Sequence, residues 1–317
     1  MKIQLITPAP LRFNNGNRIT AIRWARILRE LGHRVVLGQR YEGQSCDIMV
    51  ALHARRSSES IQHFHADHPE LPLIVVLTGT DLYRDIRTNA RARGSLELAT
   101  RLVALQQMAL AELPARLHSK TRVIYQSAAL INGSFARSGN GRFRVCVIGH
   151  LRPEKDPLRT AMAARRLPSS SRIQVIHIGR ALQEHLKKRA LAESARNPRY
   201  RWVGEWPHWK TRRELSHSHL LSLTSRMEGS SNVLSEAIAS SIPVVASKIP
   251  GLMGTLGKDY PGYFPVGDTR KLADLLHRVE SDPKFYRKLE ARSRQLRPLV
   301  EPERERSAWQ KLLCELL

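Results

Sequence analysis

Leu220 to Ser247 reads LLSLTSRMEGSSNVLSEAIASSIPVVAS. Two short apolar runs, LLSLTS at its start and IPVVAS at its end, flank a loop of small polar residues and a helical pattern. A strand, a loop, a helix and a second strand in so short a span make one β-α-β unit, and such units build parallel sheets covered by helices. The segment also holds Glu228 and Glu236, with no charged residue between them, in a chain whose residues are 25% charged.

The same rhythm extends outward on both sides. Upstream lie RVCVIG, a helix near Pro157–Arg166, IQVIHIG and a helix near Ala181–Ser194. The first half begins with KIQLIT as a buried strand, and Ile19 to Leu31 follows with Ile22, Ala25, Leu28 and Leu31 at helical spacing. Gly32 ends that helix as a left-handed cap would. HRVVLG, DIMVAL, LPLIVVLTGT and TRVIYQ read as further strands, and SLELATRLVALQQMALAEL reads as one helix. The pattern breaks at SFARSGNGRF, whose small and polar residues mark a linker. The expectation is α/β: two doubly wound, Rossmann-like domains facing across a cleft. The first covers residues 1–138 and the second 139–281. Two C-terminal helices over 282–317 come last, the final one amphipathic, and together they are expected to pack back on the first domain.

Length and composition bound the function. With 317 residues, 42% of them hydrophobic, two cores can form. No run approaches the roughly 20 apolar residues of a membrane span, and MKIQLITPAP is too short an apolar segment for a signal peptide. Cys46, Cys146 and Cys314 are scattered without a CxxC pair, which points to a reducing cytoplasm and away from a disulfide framework or zinc site. The net charge of +24 raises nucleic acid as a partner. The arginines run from Arg12 to Arg306 without clustering, and only 6% of residues are aromatic, so no nucleic-acid partner is expected. A basic protein that handles anionic small molecules fits the same balance.

In open parallel sheets, ligands bind outside the carboxyl ends of the strands. After LLSLTS the loop holds Arg226, Met227, Glu228, Gly229, Ser230 and Ser231, and Asn232 and Val233 follow at the helix start as further candidates for binding the donor. The free N–H groups of the helix start suit an anion, and Asn232 or a neighbouring serine is placed to cap it. Glu228 and Glu236 then bracket a ligand lying across the helix start; a pair of solvent-facing glutamates satisfies the same spacing. In the first half, Gly16, Asn17 and Arg18 end the loop PAPLRFNNGNR that leads into the helix from Ile19. His53 and Arg55 follow one strand, and Thr78, Thr80 and Asp81 follow the next. A histidine after a strand is as often structural as functional.

EGSSNVLSEAIASSIPVVASKIPG resembles the signature of family-4 retaining glycosyltransferases, which have the GT-B fold. By that resemblance Glu228 lies against the donor sugar and Glu236 holds the ribose hydroxyls of the nucleotide. VIGHLRPEKDP matches the family's diphosphate grip, with Lys155 at the lysine position, Arg152 nearby, and His150 where the family has arginine. Cations there stabilise the charge left on the departing diphosphate. Two further departures are Ser241, where the family often has glycine, and Thr78, where many relatives carry histidine.

Likeness along nearly the whole chain, through GNR-TA-RWA, ALHARRS, LTGTDLYRDI and RYRWVGEWP, resembles the selenosugar synthase subfamily of selenoneine biosynthesis. That resemblance implies transfer from a UDP-sugar, UDP-N-acetylglucosamine above all, to selenophosphate. The UDP-sugar is a co-substrate, and no cofactor, metal or stable membrane association is implied; a downstream enzyme of the pathway is the implied protein partner. Arg18, His53, Arg55, Arg56, Thr78 and Thr80 make a short, basic acceptor pocket suited to a small anion. The alternative within the same family is a lipid or glycan acceptor.

Overall fold

The computed structural model describes residues 1–8, 10, 15–130 and 141–316, so the linker core and the boundary expected at 138/139 lie outside the described residues. The chain packs as two compact units. One comprises Met1–Ser127, Glu228–Asn232 and Glu301–Leu317; the other comprises Ala128–Met227 and Val233–Val300.

The sheet of the first unit is built from β1 (Lys2–Ile6), β2 (Arg34–Gly38), β3 (Ile48–Leu52), β4 (Leu73–Leu77), β5 (Arg101–Ala104) and β6 (Thr121–Val123), in the order β2-β1-β3-β4-β5-β6. Every pair is parallel. Both faces are covered, and alternate residues of one strand join different cores. Met49 and Ala51 of β3 pack with Ile61, Phe64 and Leu96, while Ile48, Val50 and Leu52 pack with Trp24, Leu28 and Trp309. A strand buried on both faces needs an unbroken apolar sequence, which is what IMVAL supplies.

Two readings of the sequence are corrected here. In the helix Gly16–Glu30 the buried stripe is Ala21, Trp24, Ala25 and Leu28, whereas Ile22 is exposed. Trp24 draws the stripe toward itself, because its ring packs edge-on against Trp309, centroids 4.8 Å apart. The stretch from Ser95 is not one helix. The helix Ala90–Leu98 ends, β5 follows, and a 3₁₀ segment covers Gln107–Glu112. Sheet pairing overrides the helical propensity of its alanines and leucines: Thr100 N–H donates to the Leu73 carbonyl at 2.8 Å, and Leu102 and Val103 pair with Val75 and Val76.

The second sheet contains β7 (Phe143–Ile148), β8 (Ile173–Ile178), β9 (Tyr200–Trp202), β10 (Leu220–Leu223), β11 (Val244–Ser247) and β12 (Tyr263–Phe264). Its order is β12-β11-β10-β7-β8-β9, again parallel throughout. The chain runs outward from β7 through β8 and β9, returns to β10 on the other side of β7, and runs outward again. That reversal is a topological switch point. Of the two C-terminal helices, Pro283–Gln295 belongs to this unit and Pro302–Cys314 to the first.

The helix between β10 and β11, Asn232–Ala239, ends in a Schellman turn. Ser241 N–H bonds to the Ile238 carbonyl at 3.0 Å, Ile242 N–H bonds to the Ala237 carbonyl at 2.8 Å, and Ser241 takes φ 52°. A left-handed backbone explains why glycine suits this position, and a serine there bears a steric cost of about 1 kcal/mol. Ser241→Gly is therefore expected to stabilise the protein by about 0.5–1 kcal/mol, seen as a higher urea midpoint at constant m. An unchanged midpoint would show Ser241 to be unstrained.

Candidate functional site

In the second unit the loops after β7 and β10 sit at the switch point and are fastened to each other. Thr224 Oγ1 donates to the carbonyls of Lys155 and Asp156, each at 3.0 Å. Arg226 N–H donates to the Glu154 carbonyl at 2.8 Å, and the Arg226 guanidinium lies 3.7 Å from Asp156. The β7 loop turns through a 3₁₀ segment, Pro153–Lys155, and Asp156 closes it in the left-handed region at φ 44°. The Lys155 stem runs beside Gly149, its Cδ 3.7 Å from where a Cβ on that residue would stand. Lys155 and Arg152 are half-buried on this loop.

His150, which stands where a cation was expected, accepts from Arg180 N–H at Nδ1, 3.1 Å away. That bond puts the ring proton on Nε2, so His150 enters the loop as a directional donor. Below the loop, buried His177 spans two partners. Its Nδ1 lies 2.9 Å from Tyr200 Oη and its Nε2 lies 3.1 Å from the Gly149 carbonyl. Gly179 backs the same carbonyl, and any Cβ there would overlap it.

Glu236 is buried on the helix Asn232–Ala239, and its carboxylate accepts from His208 Nε2 at 2.7 Å. His208 opens the helix His208–His217 directly after Pro207.

Glu228, Gly229, Ser230, Ser231 and Asn232 pack with the first unit. Gly229 runs against the strand end after β4: a Cβ on it would overlap the Thr78 carbonyl and lie 2.8 Å from Gly79 N. Only two glycine backbones can come that close. The Asn232 side chain, one of the caps expected for its helix beside the neighbouring serines, is taken up by other partners. Its Oδ1 accepts from Arg23 at 2.8 Å, and its Nδ2 lies 3.3 Å from both the Gly16 carbonyl and Thr20 Oγ1. The adjoining Val233 belongs to the second unit.

At the ends of β3 and β4, Asp81 is fully buried and organises the backbone. Its carboxylate accepts from Thr78 N–H at 2.9 Å, Gly79 N–H at 2.7 Å and Ala54 N–H at 3.0 Å. It opens a short π-helical turn, Asp81–Asp85, a feature frequent at functional sites. His53 is held at φ 75°, and its Nδ1 accepts from Arg56 N–H at 3.3 Å. The Nε2 proton therefore points to Thr80 Oγ1, 2.9 Å away, and the Thr80 hydroxyl proton is directed elsewhere. Burial holds the His53 imidazole below its ordinary pKa, against the opposing pull of Asp81. The ring is thus a neutral relay that orients Thr80. The Arg55 guanidinium, half-exposed, pairs with Asp85 at 3.3 Å. At the start of the helix Gly16–Glu30, Gly16 is exposed, Asn17 half-buried, and Arg18 bonds through its backbone N–H to Asn15 Oδ1 at 3.0 Å.

Four residues of these surroundings carry no signal in the sequence: His208, His177, Arg23 and Glu305. The Glu305 carboxylate, buried in the last helix, accepts from Arg23 Nε at 2.9 Å, Trp24 Nε1 at 2.6 Å and Ser127 N–H at 3.0 Å. Arg23 thereby reaches Asn232 from a neutralised base. Among the described residues, no group of three or more His, Cys, Asp or Glu is placed to hold a metal ion, and no helix is long and apolar enough to cross a membrane.

Solved structures share this architecture from end to end. Sucrose-phosphate synthase from Thermosynechococcus elongatus superposes with a TM-score of 0.81 at 16% identity, covering 99% of this chain and 98% of that one. HepE from Anabaena, solved in complex with UDP-glucose, gives 0.78 at 17% identity over 100% of both chains. Two Rossmann-like parallel sheets of this kind define a GT-B protein. The family described as glycosyl transferases group 1 matches residues 135–296, just over half of the chain, and the chain belongs to that family. It is a glycosyltransferase. Glycosyltransferase 1 domain-containing protein 1 of Xenopus tropicalis is 23% identical over 100% of this chain and 98% of its own.

The His177 bridge has a pH signature. Burial pushes its pKa down from 6.5 to about 4. Between those values the unfolded chain binds a proton that the folded chain refuses, so stability is lost as pH falls from 6.5 to 4. At about 1.4 kcal/mol per unit the group accounts for up to about 3 kcal/mol. His177→Gln is expected to flatten that part of the stability–pH curve relative to the wild type. Parallel curves for the two proteins would refute the assignment.

Proposed function

We propose that this enzyme transfers the sugar of a UDP-sugar, with UDP-N-acetylglucosamine preferred, to selenophosphate in the cytoplasm, within selenoneine biosynthesis. Selenium attacks the anomeric carbon as the bond to the UDP oxygen breaks, and water removes the phosphoryl group from selenium. The products are a 1-selenosugar, UDP and phosphate.

The observation that carries the donor half is the family match over residues 135–296, which spans Lys155, Arg152 and Glu236 around the β7/β10 switch point. HepE, similar over the whole chain, was solved with UDP-glucose, which favours a uridine nucleotide here. In this reading Glu236 accepts from the ribose hydroxyls, and Lys155, Arg152 and the His150 N–H meet the diphosphate. Preorganised donors at a developing charge are worth about 10²–10³ in rate apiece. Gly229, Ser230 and Ser231 let the donor approach, and Glu228 lies against its sugar.

The acceptor half rests on the resemblance to selenosugar synthases and on chemistry. Arg18, Arg55 and the Thr80 hydroxyl oriented by His53 are donors suited to a small oxyanion. A selenium anion is a strong nucleophile that needs little help from a base, which accords with threonine at position 78. Cys46, Cys146 and Cys314 are free thiols, consistent with the reducing compartment that a selenium anion requires.

Incubation with UDP-N-acetylglucosamine and selenophosphate is expected to release UDP and yield a selenosugar of the corresponding mass. Lys155→Ala should lower kcat about 10²–10³-fold, and Glu236→Gln should raise the Kd for UDP. No UDP released with selenophosphate, alongside sugar transfer to a glycan or lipid, would overturn the acceptor. UDP affinity unchanged in Glu236→Gln would overturn the donor reading.

A further inference from the structure

We propose that His208 is a positioning residue that fixes the Glu236 carboxylate for selective binding of ribose over deoxyribose; the proposal rests on the donor reading given above. Among the described residues, His208 is the one side chain that hydrogen-bonds this carboxylate, with Nε2 2.7 Å from Oε1. An ionised carboxylate only accepts, so Nε2 carries the proton. The terminal torsion of a glutamate is broad and roughly two-fold. A single short, charge-assisted bond to Oε1 selects one orientation of it. Oε2 and the second lone pair of Oε1 then remain for neighbouring hydroxyls, the arrangement that a vicinal diol requires.

Two features separate this from an ordinary stabilising pair. The Glu236 side chain is 9% exposed and that of His208 is 47% exposed, so the bond lies at the edge of the fold with its donor half in solvent. Water can take the place of the half-exposed imidazole, so the bond adds little to stability. His208 is also held from behind. Pro207 sets the chain at φ −55° and ψ 147° immediately before the helix His208–His217, so the imidazole departs from a rigid turn. Glu236, meanwhile, sits in the first helix after the β10 loop that holds the Lys155 turn.

A site arranged to bond a hydroxyl discriminates against the analogue that lacks it, because its own polar group is left unpaired. The carboxylate discriminates only while its orientation is fixed. Titration calorimetry of the full chain with UDP and with 2′-deoxy-UDP therefore tests the role. His208→Ala is expected to weaken UDP binding about tenfold and 2′-deoxy-UDP binding about threefold or less, so that the ratio between the two narrows. His208→Gln, whose amide N–H can donate to Oε1, should recover UDP binding to within about threefold of the wild type. The thermal midpoint should stay unchanged in both variants, which separates positioning from folding. If Glu236→Gln weakens UDP binding while His208→Ala leaves the ratio unchanged, the role of His208 is refuted and the donor reading stands. Tighter UDP binding by His208→Ala would also refute it, showing that the imidazole competes with ribose. If Glu236→Gln binds UDP as the wild type does, the donor reading fails, and this inference falls with it.

Discussion

The pairing of β10 with β7 is the constraint on which the second unit depends. It rests on a short register, Leu220 opposite Val145 and Leu221 opposite Cys146, at the point where strand order reverses. Strands on either side are drawn outward by their own connections, so the loops that leave β7 and β10 begin as neighbours and then diverge. The gap between them would be left to solvent and chance, but Thr224 and Arg226 close it by bonding to the carbonyls of Glu154, Lys155 and Asp156. The cationic turn is thus an extension of the sheet rather than a free loop. Its cations are therefore carried on a backbone fastened at three successive carbonyls.

The basicity of the chain has a different meaning from the basicity of this turn. Much of the net charge of +24 lies in arginines dispersed over both units. Several are paired locally and exposed, such as Arg116 with Glu97 and Arg306 with Glu303. Exposed pairs of this kind add little to stability and aim at nothing in particular. Arg23 is the contrasting case. Its side chain is only 12% exposed, and the buried Glu305 carboxylate compensates it. Only with that compensation does its remaining N–H group become a fixed donor to Asn232.

What the sequence disclosed, and what it withheld, follows from the range over which each signal acts. Strands buried on both faces announce themselves as short runs of branched apolar residues, and β1, β3, β4, β7, β8, β10 and β11 were all legible as such. β5 was not, because Arg101–Ala104 follows a true helix and shares its leucines and alanines; only the neighbouring strands decide its state. The exposure of Ile22 was hidden for a similar reason, since Trp309 selects the buried face from far along the chain. Motif residues such as Lys155, Glu228 and Glu236 stood out through their resemblance to a family signature, since spacing alone left the two acids open to a solvent-facing reading. Their partners did not. His208 is 28 positions from Glu236, and Glu305 is 282 positions from Arg23, so no local periodicity can link them.

The two glutamates show how little a spacing means until packing interprets it. Read along the chain, Glu228 and Glu236 are equivalent members of one motif, eight positions apart and free of intervening charge. In the fold they belong to different units and answer to different neighbours. Glu228 precedes a glycine pressed closely to the backbone of Thr78 and Gly79, so main-chain contact fixes the chain beside it. Glu236 lies on a regular helix, where its backbone position is unremarkable and the orientation of its carboxylate is set by one imidazole. One acid follows a close backbone contact and the other stands on a regular helix, so one spacing in the sequence carries two different restraints.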